Sequence, residues 1–299
     1  MTKHVSDPSG KAFRVQPGHE RLLIALARYE RLTAEQTRRL LFGAGSLTYV
    51  QTKYKELADA GYVLRVPVGR PAPHGSGPLV YSLDRRGRAH LASLGQDVPR
   101  RLRQSEDRAR SSPHLRHSIA VVDVLILCEL LCRRDPRLTI ARMRGERELT
   151  TWMVNVTMPD GRAQGVATDG WADLRIAHPD GGIEQMCCAF EVDCGTEWGA
   201  AWRKKARALL AYDRGPYSAA FGVDSLTIVV VAPTDVRRDQ LLHWTEQELV
   251  AQRAADRADL FRFGTMPDDP ADAAAFFLAP RWQIPGQDVP TSLIEGTAE

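Results

Sequence analysis

The chain of 299 residues has no apolar run of membrane-spanning length, and its polar N-terminus, MTKHVSDPSGK, has no hydrophobic signal-peptide region. A GxxxxGK(S/T) phosphate loop is also absent, so the sequence gives no sign of ATP hydrolysis. We therefore expect a cytoplasmic protein without a membrane partner.

Cysteine is scarce, and the five cysteines form no metal-binding pattern. Cys128 and Cys132 are one helical turn apart in an apolar run, and Cys187 and Cys188 are adjacent on a predicted strand. This arrangement is typical of buried free thiols in a reducing compartment.

Histidine is also scarce, and no His-x-His pair occurs. Relaxases and rolling-circle initiators commonly combine such a pair with a nucleophilic tyrosine. His114 and His117 have one-turn spacing and could bind a metal, but no third ligand is nearby, so a capping or interface role is favoured. Tyr49, Tyr54 and Tyr212 could act as nucleophiles in principle, and packing is the favoured role of Tyr212.

Lysine is the third scarce residue, since only six of the 40 basic residues are lysine. The basic residues are also distributed unevenly against the acidic ones. Residues 1–112 hold 20 Lys and Arg against 10 Asp and Glu, a net charge of +10, whereas residues 113–299 hold 20 against 27, a net charge of −7. A basic front half indicates a polyanionic partner such as nucleic acid, although an Arg-rich soluble surface would look the same.

The front half contains three predicted helices. Apolar spacing predicts the first over residues 18–31, Thr33 and Gln36 form a capping box for the second, and Ser46 caps a third that continues to Ala60. Apolar residues of the third helix, including Val50, share one face. The opposite face carries hydrogen-bonding and cationic side chains, as a helix in a DNA groove requires.

Two predicted strands, residues 62–68 and 79–83, follow these helices and enclose a flexible tip, GRPAPHGSGP. Three helices and a β-hairpin resemble the winged helix-turn-helix, and residues 83–95 resemble the helix that commonly follows the wing. The resemblance covers residues 18–95 and implies a double-stranded DNA partner; the alternative is a winged helix used for protein contacts or dimerisation. The residues expected to contact DNA are Ser46, Thr48, Tyr49, Gln51, Lys53, Lys55, Arg65 and Arg70.

The domain boundaries follow from composition. Residues 1–17 are expected to be a flexible N-terminus, residues 96–113 a basic linker, and residues 264–299 a mostly irregular tail with a short helix over 271–278. Residues 114–263 form the second predicted domain.

The second domain combines helices with strands. Helices are predicted over 114–133, 196–213 and 235–256, and strands over 138–149, 171–177, 186–193 and 225–232. This α-β-β-β-α-β-α order is similar to the PD-(D/E)xK nuclease superfamily, so the whole chain is expected to be α/β (α+β).

Four carboxylates lie on or beside two of these strands. Asp169 and Asp173 belong to TDGWADLRI, and Glu191 and Asp193 belong to FEVD. A hard cation such as Mg²⁺ needs oxygen ligands that converge from different elements. Two alternatives stay open, namely that Asp173 is an outward-facing strand residue and that Asp193 caps a turn.

The nuclease resemblance assigns roles to these residues. Asp169 takes the place of the first acidic residue and Glu191 that of the second, but Asp193 stands where a lysine is expected and Thr168 replaces a proline. The resemblance implies that Asp169, Glu191 and Asp193 hold Mg²⁺, for which Mn²⁺ could substitute.

The missing lysine has two candidate replacements, Lys204 and Lys205, on the helix that follows. Helical side chains lean toward the helix N-terminus, so either ammonium could reach back toward Glu191. The alternative is that both lysines are solvated. Glu146 and Glu148 could supply a further carboxylate from the first strand.

As a whole, the winged helix, the basic linker and the block formed by FEVD-x-GTE, Lys205 and Tyr212 resemble the replication-relaxation family of plasmid and mobile-element proteins. The resemblance covers residues 18–250 and implies a role in replication initiation, DNA relaxation or transfer, with replication or transfer proteins as partners. Metal-dependent DNA nicking is the activity this predicts. The alternative is a non-catalytic transcriptional regulator or replication accessory that uses a degenerate nuclease fold for homodimerisation or DNA positioning.

Overall fold

The computed structural model describes residues 13–43, 45–69, 77–98 and 112–295. Two units divide between Ser112 and Pro113. Arg70 and most of the predicted linker lie outside the described residues. The fold is mixed α/β, with helices and sheets in both units.

Among its described residues, the first unit has four helices and a small sheet. In chain order the elements are α1 (Pro17–Tyr29), β1 (Arg31–Thr33), α2 (Ala34–Phe42), α3 (Leu47–Asp59), β2 (Val63–Pro67), β3 (Leu79–Leu83) and α4 (Arg85–Ser93). The sheet is antiparallel with the order β1-β3-β2. Strand β1 was not predicted, because three residues between two helices are too few to show alternation.

Both predicted helix caps of this unit are confirmed. The Thr33 hydroxyl accepts a hydrogen bond from the Gln36 N–H at 3.1 Å, and the Gln36 side chain accepts one from the Thr33 N–H at 2.9 Å. The Ser46 hydroxyl accepts from the Tyr49 N–H at 3.4 Å. These bonds satisfy donors that the first helical turn leaves free, so the sequence alone located the starts of α2 and α3.

The second unit contains a five-stranded mixed sheet and a separate hairpin. In chain order the elements are α5 (Ser112–Arg134), β4 (Leu138–Gly145), α6 (Glu146–Thr151), β5 (Val154–Thr157), β6 (Ala163–Val166), β7 (Gly170–Ala177), β8 (Ile183–Val192), α7 (Gly199–Asp213), α8 (Pro216–Phe221), β9 (Thr227–Ala232), α9 (Asp235–Ala251), a 3₁₀ helix (Ala255–Leu260), β10 (Phe261–Thr265) and α10 (Ala273–Phe277). The order in the sheet is β10-β9-β8-β7-β4, with β8, β9 and β10 parallel and the other pairs antiparallel.

Several predicted boundaries of the second unit need correction. The strand predicted over residues 138–149 ends at Gly145, which becomes the extended N-cap residue of α6. Residues Val154–Thr157 and Ala163–Val166 form an unpredicted hairpin, β5–β6, because each strand is only four residues long. Residues 216–221, between two longer predicted elements, form the short helix α8.

Strand β8 crosses the centre of the sheet and is buried from Met186 to Val192. Cys187 and Ala189 belong to the core beneath α7. On the opposite face, a side chain at Gly170 would meet Leu125 of α5 at 3.2 Å, so glycine here lets the helix approach the sheet closely. Glu191 has the same orientation as Ala189 and therefore faces α7.

The chain after β9 completes the sheet. Strand β10 extends across residue 263, where the second domain was expected to end. Trp282 is fully buried, and its indole N–H donates to the Phe276 carbonyl at 2.7 Å. The short predicted helix is present as α10, inside residues 271–278. Among the described residues, no helix combines the length and the apolar character needed to cross a membrane.

Candidate functional site

Asp169 immediately precedes β7 and forms hydrogen bonds with the backbone at the end of β8. Its N–H donates to the Phe190 carbonyl at 2.9 Å, and its Oδ2 accepts from the Val192 N–H at 2.8 Å. These two bonds fix the carboxylate beside Glu191, which lies between Phe190 and Val192 on β8. The two predicted metal ligands therefore come together from adjacent strands.

Glu191 is a buried carboxylate with few partners. Its side chain is 1% exposed, and the Lys205 ammonium lies 2.5 Å from Oε2. Neither oxygen receives a well-directed hydrogen bond from the described residues. Because unpaired burial of a charge is costly, this carboxylate would be stabilised by a further positive charge.

Lys205, and not Lys204, meets Glu191. It extends from α7 beside the Trp202 ring, with Nζ 5.7 Å from the ring centroid, and also contacts Glu197 Oε1 at 3.2 Å. Lys204 is exposed. Adjacent helical residues point about 100° apart, so only one of two neighbouring lysines can face the sheet.

Burial and neighbouring charges shift the pKa values of Glu191 and Lys205. Burial raises the pKa of Glu191 to about 8, and the Lys205 ammonium opposes that rise. Burial also works against the charged form of Lys205, but Glu191, Asp169 and Glu197 together raise the pKa of its ammonium. Lys205 is therefore a permanent cation beside the buried Glu191 and the partly exposed Asp169.

His117 of α5 completes the cluster on the other side of Asp169. Its Nε2 lies 3.1 Å from Asp169 Oδ1, and its Nδ1 lies 3.8 Å from the Cys194 thiol. The bond to Asp169 raises the pKa of His117 to about 10, with a smaller contribution from Cys194. Burial alone would raise the pKa of Asp169, but His117 and Lys205 hold it below its usual value. The sequence showed the one-turn histidine spacing and could not indicate this contact.

Replacing His117 with glutamine should destabilise the metal-free protein more at low pH than at high pH. A pKa raised from 6.5 to about 10 contributes stability that is complete below pH 6.5 and is lost as the pH rises through 10. Near pH 6 we expect the free energy of unfolding of the variant to be about 2 kcal/mol lower than that of the native protein, a figure discounted because a quarter of the His117 side chain is exposed. Above about pH 10.5 the two proteins should have nearly the same stability.

Urea unfolding in EDTA at both pH values measures this difference. His178→Gln is the control, because His178 contacts the exposed Glu184 and should cause little change at either pH. A loss of stability from His117→Gln that is equal at both pH values would contradict the assignment.

Asp193 lies just beyond β8 and is held by Arg237 of α9. Arg237 Nε lies 2.7 Å from Asp193 Oδ2, and the Asp193 side chain is 1% exposed. The same oxygen accepts from the Gly195 N–H at 3.0 Å, so the turn-capping alternative is confirmed. Asp193 is therefore paired with Arg237, whereas Glu191 is paired with Lys205.

Asp173 belongs to a different cluster. It lies four residues along the chain from Asp169 and is fully buried, which rules out the outward-facing alternative. Arg175 Nε lies 3.0 Å from its Oδ1, and the Arg142 guanidinium lies 3.3 Å from its Oδ2. Two arginines satisfy this carboxylate, and it needs no metal.

The upstream glutamates lie on α6 instead of a strand. Glu146 accepts a hydrogen bond from the Ser118 hydroxyl at 3.0 Å and contributes to the raised pKa of His117. Glu148 contacts Arg144 Nε at 3.1 Å. Of the two, Glu146 lies nearer the cluster.

Arg144 is a cation that sequence reasoning missed. Its guanidinium stacks over Trp152 at 4.3 Å and near Phe221 at 5.1 Å, and Nη1 is buried with no hydrogen-bond partner among the described residues. In the sheet, Arg144 on β4 lies opposite Trp171 on β7, and Trp171 is two residues after Asp169. The side chains of Arg144 and Trp171 therefore share the face beneath α7.

The metal-binding capacity of this cluster is limited to two carboxylates. Across the described residues, no three His, Cys, Asp or Glu side chains are arranged to hold a metal ion. Mg²⁺ nevertheless commonly uses one or two protein carboxylates and completes its shell with water and substrate phosphate. The unsatisfied oxygens of Glu191, beside Asp169, fit that use.

The sequence model of the replication-relaxation family matches residues 23–222. The chain belongs to this family. No curated protein and no solved structure matches the chain. Membership in the replication-relaxation family connects the chain with replication or relaxation of plasmid or mobile-element DNA.

The family match begins within α1 and ends just after α8, so it includes both units. It includes Asp169, Glu191 and Lys205, the residues that meet in the second unit. Arg237 and strands β9 and β10 lie outside the matched segment.

The candidate DNA face of the first unit is helix α3. Val50, Tyr54 and Leu57 are buried, and the Tyr54 ring stacks on Tyr81 with centroids 3.9 Å apart. The opposite side of the helix is open to solvent. Ser46, Thr48, Tyr49, Gln51 and Lys55 are exposed there, as is Arg65 on β2, while Lys53 is half-buried.

Two lysines of α3 have acidic neighbours. Lys53 Nζ lies 2.9 Å from Glu56 Oε2, which also contacts His19 at 2.7 Å. Lys55 Nζ lies 2.7 Å from Asp59 Oδ2 on the solvent side. Exposed pairs of this kind are weak, so a phosphate could displace Asp59 from Lys55.

Proposed function

We propose that the chain is a DNA-binding protein of a plasmid or integrative element whose second unit cleaves a phosphodiester bond with the help of Mg²⁺. The observation that carries this proposal is the 2.5 Å contact between Lys205 and Glu191, beside Asp169. Lys205 supplies the cation that β8 lacks, because Asp193 occupies the position where the nuclease superfamily has lysine.

The topology supports a relationship with PD-(D/E)xK nucleases. An acidic residue precedes β7, a second lies on the antiparallel neighbour β8, and α7 crosses over to the parallel strand β9. In this relationship the lysine has moved from β8 to α7 and keeps its place beside the second acid.

The chemistry assigned to the residues follows from their charges. Asp169 and Glu191 would hold Mg²⁺, which supplies positive charge to the phosphate and a water of lowered pKa. Lys205 would offset the negative charge that develops on the phosphoryl oxygens. In hydrolysis, a water oxygen bonds to phosphorus, the bond to the leaving sugar oxygen breaks, and that oxygen takes up a proton.

The first unit fits the winged helix-turn-helix. Helices α1 to α3 precede the β2–β3 hairpin, and α3 has a buried apolar side and an exposed polar side. In this assignment α3 enters the major groove of double-stranded DNA and the hairpin is the wing.

A second candidate function is that of a non-catalytic regulator or replication accessory. Asp193 favours it, because this aspartate replaces the expected lysine and is bound by Arg237, which leaves two carboxylates for a metal. In that case the nuclease-like unit would serve as a platform for dimerisation or for positioning DNA.

Incubating supercoiled plasmid with the protein and Mg²⁺ or Mn²⁺ tests the catalytic proposal. We expect nicked circles from the native protein, and none from Glu191→Ala or from native protein in EDTA. Glu184→Ala is the matched control, because Glu184 lies on the same strand, is exposed, and should leave nicking intact.

Two outcomes would contradict the catalytic assignment. Nicking that survives Glu191→Ala would show that the cleaving site lies elsewhere. Failure of the native protein to nick DNA that it binds would favour the regulator.

Replacing Lys55 with glutamate should weaken duplex binding. Lys55 is exposed on α3, so its loss removes one phosphate contact. The negative slope of log affinity against log salt should therefore become less steep by about 1. Arg85→Glu on α4 is the control, since it changes the net charge equally on another exposed helix. Gel shifts over a salt series measure both slopes, and equal effects would remove α3 from the interface.

A further inference from the structure

Trp198 is the most exposed large apolar side chain among the described residues, with 82% of its surface open. Three of the six tryptophans, Trp171, Trp202 and Trp282, are fully buried. A solvated indole forgoes the burial that stabilises most tryptophans, so its exposure points to a contact with another molecule.

The backbone around Trp198 is held firmly. Arg237 Nη2 donates to the Glu197 carbonyl at 2.5 Å, and the Glu197 carboxylate receives the Lys205 ammonium at 3.2 Å. The Trp198 carbonyl itself accepts from the Trp202 N–H at 2.9 Å, at the start of α7. The exposed ring is therefore presented by a rigid frame that shares its residues with the candidate site.

Trp198 is the extended N-cap residue of α7, and the residue before it, Glu197, contacts Lys205. Seven residues separate Trp198 from Lys205, which is a rise of about 10.5 Å along the helix axis. That spacing corresponds to roughly three nucleotides at the ~3.4 Å duplex rise and to fewer in an extended strand.

We propose that Trp198 stacks on one unpaired base of a DNA strand whose phosphate lies at Glu191 and Lys205. This inference rests on the proposed function and specifies its substrate class as single-stranded or locally melted DNA. A paired base inside a duplex has both faces covered by its neighbours, so only an unstacked base can offer a face to the indole.

A nucleobase fits this ring better than a protein surface does. The preceding residues 194–196 are exposed and are a cysteine, a glycine and a threonine, so the segment leading to the indole adds no large apolar side chain. A stable protein interface buries about 800 Å² on each partner around an apolar centre, whereas stacking of one base needs one flat ring.

Fluorescence anisotropy with a labelled oligothymidine, and with a blunt duplex of equal length, tests this inference in EDTA. We expect Trp198→Ala to weaken oligothymidine binding about 5- to 100-fold and Trp198→Phe to retain most of it, because the phenyl ring still stacks. Duplex binding should be unchanged in both variants. Ile183→Ala, an exposed apolar change at the opposite end of β8, is the control and should alter neither affinity.

Three results would overturn the inference. They are native protein that does not bind oligothymidine, Trp198→Ala that binds it like the native protein, and Trp198→Ala that loses single-strand and duplex binding equally. Because no divalent cation is present, the readout does not depend on cleavage. If the protein binds oligothymidine through Trp198 but does not nick plasmid, the catalytic proposal is wrong and the stacking proposal stands.

Discussion

Replacing Lys205 with methionine is expected to reduce plasmid nicking by about 10²- to 10³-fold, the range found when one group that stabilises transition-state charge is removed. The same replacement at Lys204 should leave nicking near the native level. The two lysines are adjacent on α7, but Lys205 lies 2.5 Å from Glu191 and Lys204 is exposed. Timed conversion of supercoiled to open-circular plasmid gives both rates.

The Lys205 replacement should also destabilise the fold in a pH-dependent way. Burial already raises the pKa of Glu191 to about 8, so the stability it contributes is present at low pH and is lost as the pH rises through that value. Without the Lys205 ammonium the ionised carboxylate has no adjacent counter-charge, and because pH 9 is only one unit above a pKa of about 8, we expect the loss of stability to be about 1–1.5 kcal/mol larger near pH 9 than near pH 5.

Adding Glu191→Gln to the Lys205→Met protein should recover most of that stability at high pH, because the neutral amide removes the buried charge. Urea unfolding of both proteins at the two pH values measures the recovery. Equal losses from Lys204→Met and Lys205→Met, in nicking or in stability, would contradict the assigned roles.

Replacing Arg237 with methionine should lower the free energy of unfolding by about 3–5 kcal/mol, because it leaves Asp193 buried without its charge partner. Arg237 also binds the Glu197 carbonyl, so its loss should loosen the loop that carries Glu197 and Trp198. The double variant with Asp193→Asn should be more stable than Arg237→Met alone.

Arg238→Met is the matched control for this change. Arg238 follows Arg237 on α9, but its partners Asp235 and Asp239 are exposed, and surface pairs of this kind contribute about 0–1 kcal/mol. Thermal and urea unfolding compare the two variants. Similar losses from both would show that the Asp193–Arg237 pair does not stabilise the second unit.

Local patterns in the sequence determined several features. The capping box at Thr33 placed the start of α2, because its bonds form within one helical turn. The apolar spacing of α3 identified its buried face, because that face is set by a period of 3.6 residues. The apolar composition of residues 186–193 predicted the strand that carries Glu191, and β8 covers Ile183–Val192.

Contacts between distant segments did not follow from such patterns. His117 lies 52 positions before Asp169, and no local period links a residue on α5 with the loop before β7. Arg144 likewise reaches the face beneath α7 only because β4 pairs with β7. The short strands β5 and β6 were missed for a related reason, since their stability depends on packing against α7 more than on their own residues.

The sequence by itself determined that the second unit carries an acidic pair on adjacent strands and a lysine pair on the next helix. The tertiary structure alone decided that Lys205 pairs with Glu191, that Asp193 pairs with Arg237 and that His117 pairs with Asp169. The physical reason is that charge pairing depends on distances of a few ångströms between side chains, and those distances are set when helices pack on the sheet.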